Sequence, residues 1–220
     1  MKKIMLASVI MLMLGITSVF AGVKEGDAFK AEKKYPEALQ QYEDVLKDAT
    51  VYAYQKGWAR VWIGTVYRLQ KNYSKAIEQY ESIVADTSVY VDTRGVAQYF
   101  ISQTYREEKK YPEAIISYKK VLSLEGLNNN DIKGYVQYDI GETYREEGKI
   151  EEAQLAFVKN CSMRNLPLVR YENAYKEIDK VALGVVKYQE LLSKMILVIP
   201  ATPENASFLS LLRSEQEKLK

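Results

Sequence analysis

The sequence predicts an all-helical chain, a solenoid of stacked helix pairs, and three observations carry that prediction. An alanine followed four residues later by an aromatic returns four times, as Ala38 with Tyr42, Ala76 with Tyr80, Ala114 with Tyr118 and Ala153 with Phe157. The alanines are spaced by 38, 38 and 39 residues, and a fixed period of this length is the signature of a repeat architecture. Twelve residues ahead of each alanine stands a small residue with an aromatic three positions on: Gly26 and Phe29, Gly64 and Tyr67, Ser102 and Tyr105, Gly141 and Tyr144. Small residues on facing helices permit close approach, and large neighbours fix the register.

The elements follow in order from period and caps. First helices are expected over 23–34, 51–70, 89–109 and 131–147, and second helices over 36–47, 74–85, 112–124 and 151–163. Thr50 and Ser88 are read as N-caps, the Asn128 to Asp131 run marks the next start, and Pro36 and Pro112 fall in a first turn, where a missing N–H costs nothing. Beyond Cys161 the register is lost. One or two helices are expected to about Ile199, then a last one with Thr202 as N-cap and Pro203 in its first turn. The apolar run Met195 to Ile199 reads as the dry underside of a C-terminal cap or as an exposed docking patch.

The run Ile63-Gly64-Thr65-Val66-Tyr67 with Ala76 and Tyr80, and Ile140-Gly141-Glu142-Thr143-Tyr144 with Ala153 and Phe157, resembles the tetratricopeptide repeat family. The resemblance covers about 23–163. Arg60, Gln98 and Gln137 stand where the family has an early tryptophan, and Ser88 and Gly126 where it has a closing proline. The period exceeds the usual 34 or so residues by about one helical turn, which a longer first helix would absorb. The resemblance implies a right-handed superhelix of antiparallel helix pairs, about four repeats plus C-terminal capping helices, with a concave groove that binds a protein or peptide. The groove positions it implies are Lys30, Trp58, Arg68, Tyr99, Gln103, Arg106, Tyr135, Tyr138, Glu142 and Arg145. Family members that bind chaperone tails use a clamp of Asn and Lys. Thr65, Gln103 and Glu142 stand at the asparagine positions, so that ligand is not expected.

The first 21 residues have the build of an export signal. Lys2 and Lys3 precede an apolar stretch from Ile4 to about Leu14, and Val19-Phe20-Ala21 fits the cleavage pattern. No Cys follows it, which argues against a bacterial lipid anchor; the alternative is an uncleaved membrane anchor. The expected organisation is a signal peptide over 1–21, a repeat array over 22–163 and a helical cap over 164–220, with a periplasmic or secreted destination. Without the two lysines of that segment the chain is formally neutral, so no bulk attraction to nucleic acid is expected.

Cys161 is the one cysteine and has no partner for an internal disulfide; it reads as a buried apolar side chain or as a redox or dimerising thiol. The chain has no His, the commonest general base and zinc ligand, and no metal, cofactor or catalytic site is expected. Gly57, Gly95 and Gly134 recur without a phosphate-loop setting and are read as helix-packing positions.

Lys30, Arg68, Arg106 and Arg145 each follow a marker aromatic. Such a ladder would grip an acidic peptide or a free C-terminal carboxylate, since the arginine fork donates two parallel hydrogen bonds. The other reading is solvated surface with neighbouring glutamates as partners. The sequence thus points to a non-enzymatic scaffold of the bacterial envelope; the alternative is a subunit that self-associates through its C-terminal helices.

Overall fold

A computed structural model describes residues 23–163, 166, 168–178 and 185–219. The expected export segment lies outside the described residues. Among these, all regular structure is helical. Helix α1 covers 23–31. It is followed by α2 (Tyr35–Lys47), α3 (Ala53–Leu69), α4 (Tyr73–Ala85), α5 (Val91–Glu107), α6 (Tyr111–Leu122), α7 (Asn130–Glu146), α8 (Ile150–Cys161), α9 (Leu168–Lys176), α10 (Val185–Val198) and α11 (Ala206–Glu217). The expected spans hold to within two residues for α2 to α8, while α1 ends three residues before the expected 34. The first helices α3, α5 and α7 have 17 residues each, against 12 or 13 in the second helices, so they carry the extra length of the repeat.

The turn from a first to a second helix is the same device each time. In the second repeat the Asn72 N–H bonds to the Tyr67 carbonyl at 2.9 Å and the Lys71 N–H to the Arg68 carbonyl at 2.9 Å. The residue between the helices is left-handed: Lys33, Lys71 and Lys109 have φ of 61°, 59° and 59°, and Gly148 has 84°. This is a Schellman closure, in which two otherwise orphaned helix carbonyls find donors. Glycine fits that backbone without strain, and lysine holds it in three copies of four.

Helix starts differ from expectation at three places. The N-caps of α3 and α5 are Tyr52 and Tyr90, not Thr50 and Ser88. An aspartate two residues upstream takes those hydroxyls: Thr50 Oγ1 donates to Asp48 Oδ1 at 2.6 Å, and Ser88 Oγ to Asp86 Oδ1 at 2.6 Å. The Thr50 and Ser88 N–H groups bond to the same oxygens, which closes an Asx turn. Asn129 caps α7 as expected, accepting from the Ile132 N–H at 3.1 Å. Thr202 opens a 3₁₀ turn over Pro203–Asn205 and makes no side-chain cap bond.

The described chain falls into two compact units. The first holds α1 to α5 and the stretch Leu124–Leu127; the second holds α6, residues from Asn128 onward and therefore α7 to α11. In the first unit successive helices from α2 to α5 pack on each other, and α3 also packs on α5. The marker alanines Ala38 and Ala76 and the aromatics Tyr42 and Tyr80 are fully buried there. The small residue of the first helix faces the aromatic of the second: a β-carbon on Gly26 would lie 2.6 Å from Tyr42 Cε1, and one on Gly64 2.6 Å from Tyr80 Cε1. Each phenol is anchored by the residue after the glycine. Tyr42 Oη donates to Asp27 at 2.7 Å, and Tyr80 Oη lies 3.1 Å from Thr65 Oγ1. Full burial of such a side chain stabilises by roughly 1.5–3 kcal/mol.

The second unit repeats this contact, with 2.5 Å from a β-carbon on Gly141 to Phe157 Cε1. Its core runs from Ala153, Phe157 and Cys161 through Tyr171 and Tyr188 to Leu191, Leu192, Met195, Ile199, Phe208, Leu209 and Leu212. Met195 and Ile199 are therefore spent on the unit's own interior, while Leu197 between them is 77% exposed. Cys161 is buried and free, and burial pushes its thiol pKa up, as for a packed apolar side chain. Gly57, Gly95 and Gly134 face side chains of the chain that follows, with β-carbon positions 3.3 Å from Thr93, 3.0 Å from Leu127 and 2.8 Å from Leu166. They are packing positions.

Candidate functional site

The expected groove positions all fall on first helices. In the first unit Lys30, Trp58, Arg68, Tyr99, Gln103 and Arg106 are half-buried. Arg68 is bound to Glu107 of α5, and its guanidinium lies 5.3 Å from the Phe100 ring centre. Phe100 stacks on the core ring Tyr80 at 5.5 Å and touches Tyr99 at 5.7 Å. Gln103 Nε2 donates to Tyr99 Oη at 2.7 Å. This arrangement ties α3 to α5. Lys30 is paired with Asp27 at 2.5 Å and sits 4.0 Å above the Trp62 ring.

Sequence reasoning missed the exposed rings of this unit. Tyr52, Tyr54 and Tyr90 are 61%, 51% and 64% exposed. Tyr54 meets Tyr90 edge-on at 5.8 Å and Trp58 at 6.4 Å, and Trp58 meets Trp62 at 6.0 Å. Tyr54, Trp58 and Trp62 follow each other at four-residue intervals on α3, so the strip runs along that helix from the Tyr90 cap to Lys30. A signal for it was present. Val51-Tyr52 and Val89-Tyr90 are equivalent dipeptides; each valine is buried, and the tyrosine after it turns outward.

In the second unit Arg145 is paired with Glu142 at 2.7 Å and with Glu177 at 2.5 Å. Tyr138 leans on the core ring Phe157 at 5.4 Å, and burial raises its phenol pKa. Tyr135 lies under the Arg170 guanidinium at 3.2 Å, and Arg170 pairs with Asp131 at 3.3 Å. The ladder cations Lys30, Arg68 and Arg145 thus hold carboxylates of the chain itself. Sequence reasoning placed Glu142 in the groove but not Glu177, which comes from beyond the repeats.

The Asp86 carboxyl at the α4–α5 connection is shifted well down. The Ser88 hydroxyl and then the Arg60 guanidinium at 2.9 Å hold its carboxyl down at about 2. Among the described residues no group of three or more Cys, Asp or Glu side chains is placed to hold a metal ion. No helix among them is long and apolar enough to cross a membrane.

Tetratricopeptide repeat matches cover residues 58–86 and 96–126. None of the curated proteins matches the chain. Among solved structures it is similar to a tetratricopeptide repeat protein from Parabacteroides merdae, with 14% identity, a TM-score of 0.52 and coverage of 92% of this chain and 76% of that one. It is also similar to the nearly identical repeats of a putative kinesin light chain from Podosopora anserina, with 15% identity, a TM-score of 0.53 and coverage of 82% and 94%. At these identities the likeness concerns the fold, and it agrees with the helix pairs and their small-against-aromatic contacts. Residues 58–86 and 96–126 thus match tetratricopeptide repeats, and the fold of the chain is like that of solved tetratricopeptide repeat proteins.

Proposed function

We propose that this chain is a non-enzymatic scaffold of the bacterial cell envelope that holds a segment of a partner protein on the surface of its first helices. A tetratricopeptide fold suggests a protein-binding scaffold. The observation that carries the reading here is the cluster of tyrosines left exposed beside Trp58, because amphipathic rings at a surface are typical of binding hot spots. The envelope destination rests on the signal-like first 21 residues. Self-association through the C-terminal helices has less to stand on, since Met195 and Ile199 are used in their own core.

The test is recovery of the epitope-tagged chain from cell fractions. Recovery with the envelope, together with a dominant co-purified protein that is lost when Tyr54→Ser and Tyr99→Ser are combined, is the expected result. Recovery from the cytosol contradicts the destination, and capture unchanged by the double substitution contradicts the binding surface.

A further inference from the structure

Two of the second helices, α6 and α8, carry a pattern that stacking does not need. Glu113, Ile116 and Lys120 of α6 are matched, 39 residues on, by Glu152, Leu155 and Lys159 of α8. All six are exposed, Ile116 by 59% and Leu155 by 61%. Each of these two stands two places after a buried marker alanine, Ala114 or Ala153. Two places turn a helix by about 200°, so both side chains point away from the core. In the first unit the same place holds Gln40 in α2 and Glu78 in α4. Stacking therefore accepts a polar residue here and does not account for the isoleucine and the leucine.

Charges flank the apolar pair in a fixed order. On both helices the glutamate lies one turn before the apolar residue and the lysine one turn after it. Helices α6 and α8 both pack on α7, and consecutive helices of a stack alternate in direction, so these two run the same way. The outer face of the second unit thus has an acidic row, an apolar row and a basic row. The four charges make no ion pair with any described residue. Acids in a first turn and lysines in a last turn suit the helix dipole, which accounts for the charges but not for the apolar row between them. The flanking places hold Glu37 and Asp44 in α2, and Lys75 and Ser82 in α4, so the order is confined to the second unit.

Such a face complements itself. A second copy, rotated by half a turn about an axis perpendicular to the face, sets its basic row on the first copy's acidic row and its acidic row on the basic one. The apolar rows then meet in the middle, which is the isologous contact of a two-fold dimer. A partner of one sign of charge would leave a row opposed. We infer that the outer face of α6 and α8 pairs with the same face of a second copy of this chain, in antiparallel register. The contact is separate from the ring strip and from the C-terminal helices, and it does not depend on the scaffold reading. A face two helices wide is at the small end of specific interfaces, so the pairing is reversible, and its charged rows make it weaken with salt.

The experiment is sedimentation equilibrium of the purified chain at concentrations up to about 0.5 mM, the range of a weak specific pair. A monomer–dimer equilibrium is expected, weakened roughly threefold or more between about 50 and 500 mM NaCl. Ile116→Gln with Leu155→Gln is expected to leave a monomer with the helical melting transition of the wild type, since both side chains are exposed. Two charge variants test the register. Glu113→Lys with Glu152→Lys makes both flanking rows basic, and Lys120→Glu with Lys159→Glu makes both acidic. Each alone is expected to stay monomeric and helical by circular dichroism, and an equimolar mixture of the two is expected to dimerise. A wild-type chain that stays monomeric throughout, whatever other protein it binds, overturns the inference. So does a dimer that these substitutions leave intact, because another surface then holds it. Failure of the mixture to associate overturns the antiparallel register and the inference with it. The capture experiment decides the scaffold reading separately.

Discussion

Gly64 of α3 lies so close to Tyr80 of α4 that a β-carbon on it would stand 2.6 Å from the ring. The ring is fully buried and its hydroxyl is held by Thr65, so it has little freedom to retreat. Gly64→Ala is therefore expected to destabilise by about 1–3 kcal/mol in urea melts, although alanine is the better helix former. Tyr80→Phe, which keeps the ring and drops the hydroxyl, should cost roughly 1 kcal/mol.

Lys71 supplies the left-handed turn residue between α3 and α4, with φ of 59°. Lys71→Gly removes the steric cost of that backbone and is expected to stabilise by about 0.5–1 kcal/mol, less what the freer unfolded chain takes back. Gly148→Ala at the equivalent turn, where nothing lies within 4 Å of the added β-carbon, should destabilise through the backbone alone. Denaturant melts of the two variants should move in opposite directions.

Asp86 couples the connection between α4 and α5 to pH. Its carboxyl sits at about 2 in the folded chain, below the ordinary value of about 3.9 in an unfolded one. A depressed carboxylate adds stability that is present above the unfolded value and lost as pH falls through the folded one. Asp86→Asn should thus melt below the wild type at pH 6, and the gap should narrow below pH 4 and close only below about pH 2.

Arg68 and Glu107 join two first helices of the same unit, and the Arg68 side chain is only 16% exposed. A double-mutant cycle with Arg68→Met and Glu107→Gln is expected to give a coupling of about 0.5–1 kcal/mol, smaller at 0.5 M salt. No coupling would mean that the pair is surface decoration.

Helix bounds were legible because a buried alanine and its aromatic must recur together if helix pairs are to stack, and that leaves a period in the sequence. The N-caps at Thr50 and Ser88 were not, because Asp48 and Asp86 compete for the same hydroxyls and nothing in the cap motif alone ranks the two. Ion pairing of the ladder was legible as one of two readings, with glutamates next in sequence as partners, but the distant partners were not, since the carboxylate of Glu107 stands 39 residues after Arg68 and that of Glu177 stands 32 after Arg145. The ring strip escaped for a related reason. Aromatics at helical spacing read as core, and only their burial separates Tyr80, fully enclosed, from Tyr54, half in water.

The central claim is that first helices, not second ones, meet the partner. Photo-cross-linking amino acids placed in living cells at Tyr54 and Tyr99 on first helices, and at Glu78 and Lys119 on second helices, test it directly. Adducts to one partner from Tyr54 and Tyr99, with none to that partner from Glu78 and Lys119, are the predicted result. Adducts to a partner protein confined to Glu78 and Lys119 would contradict it.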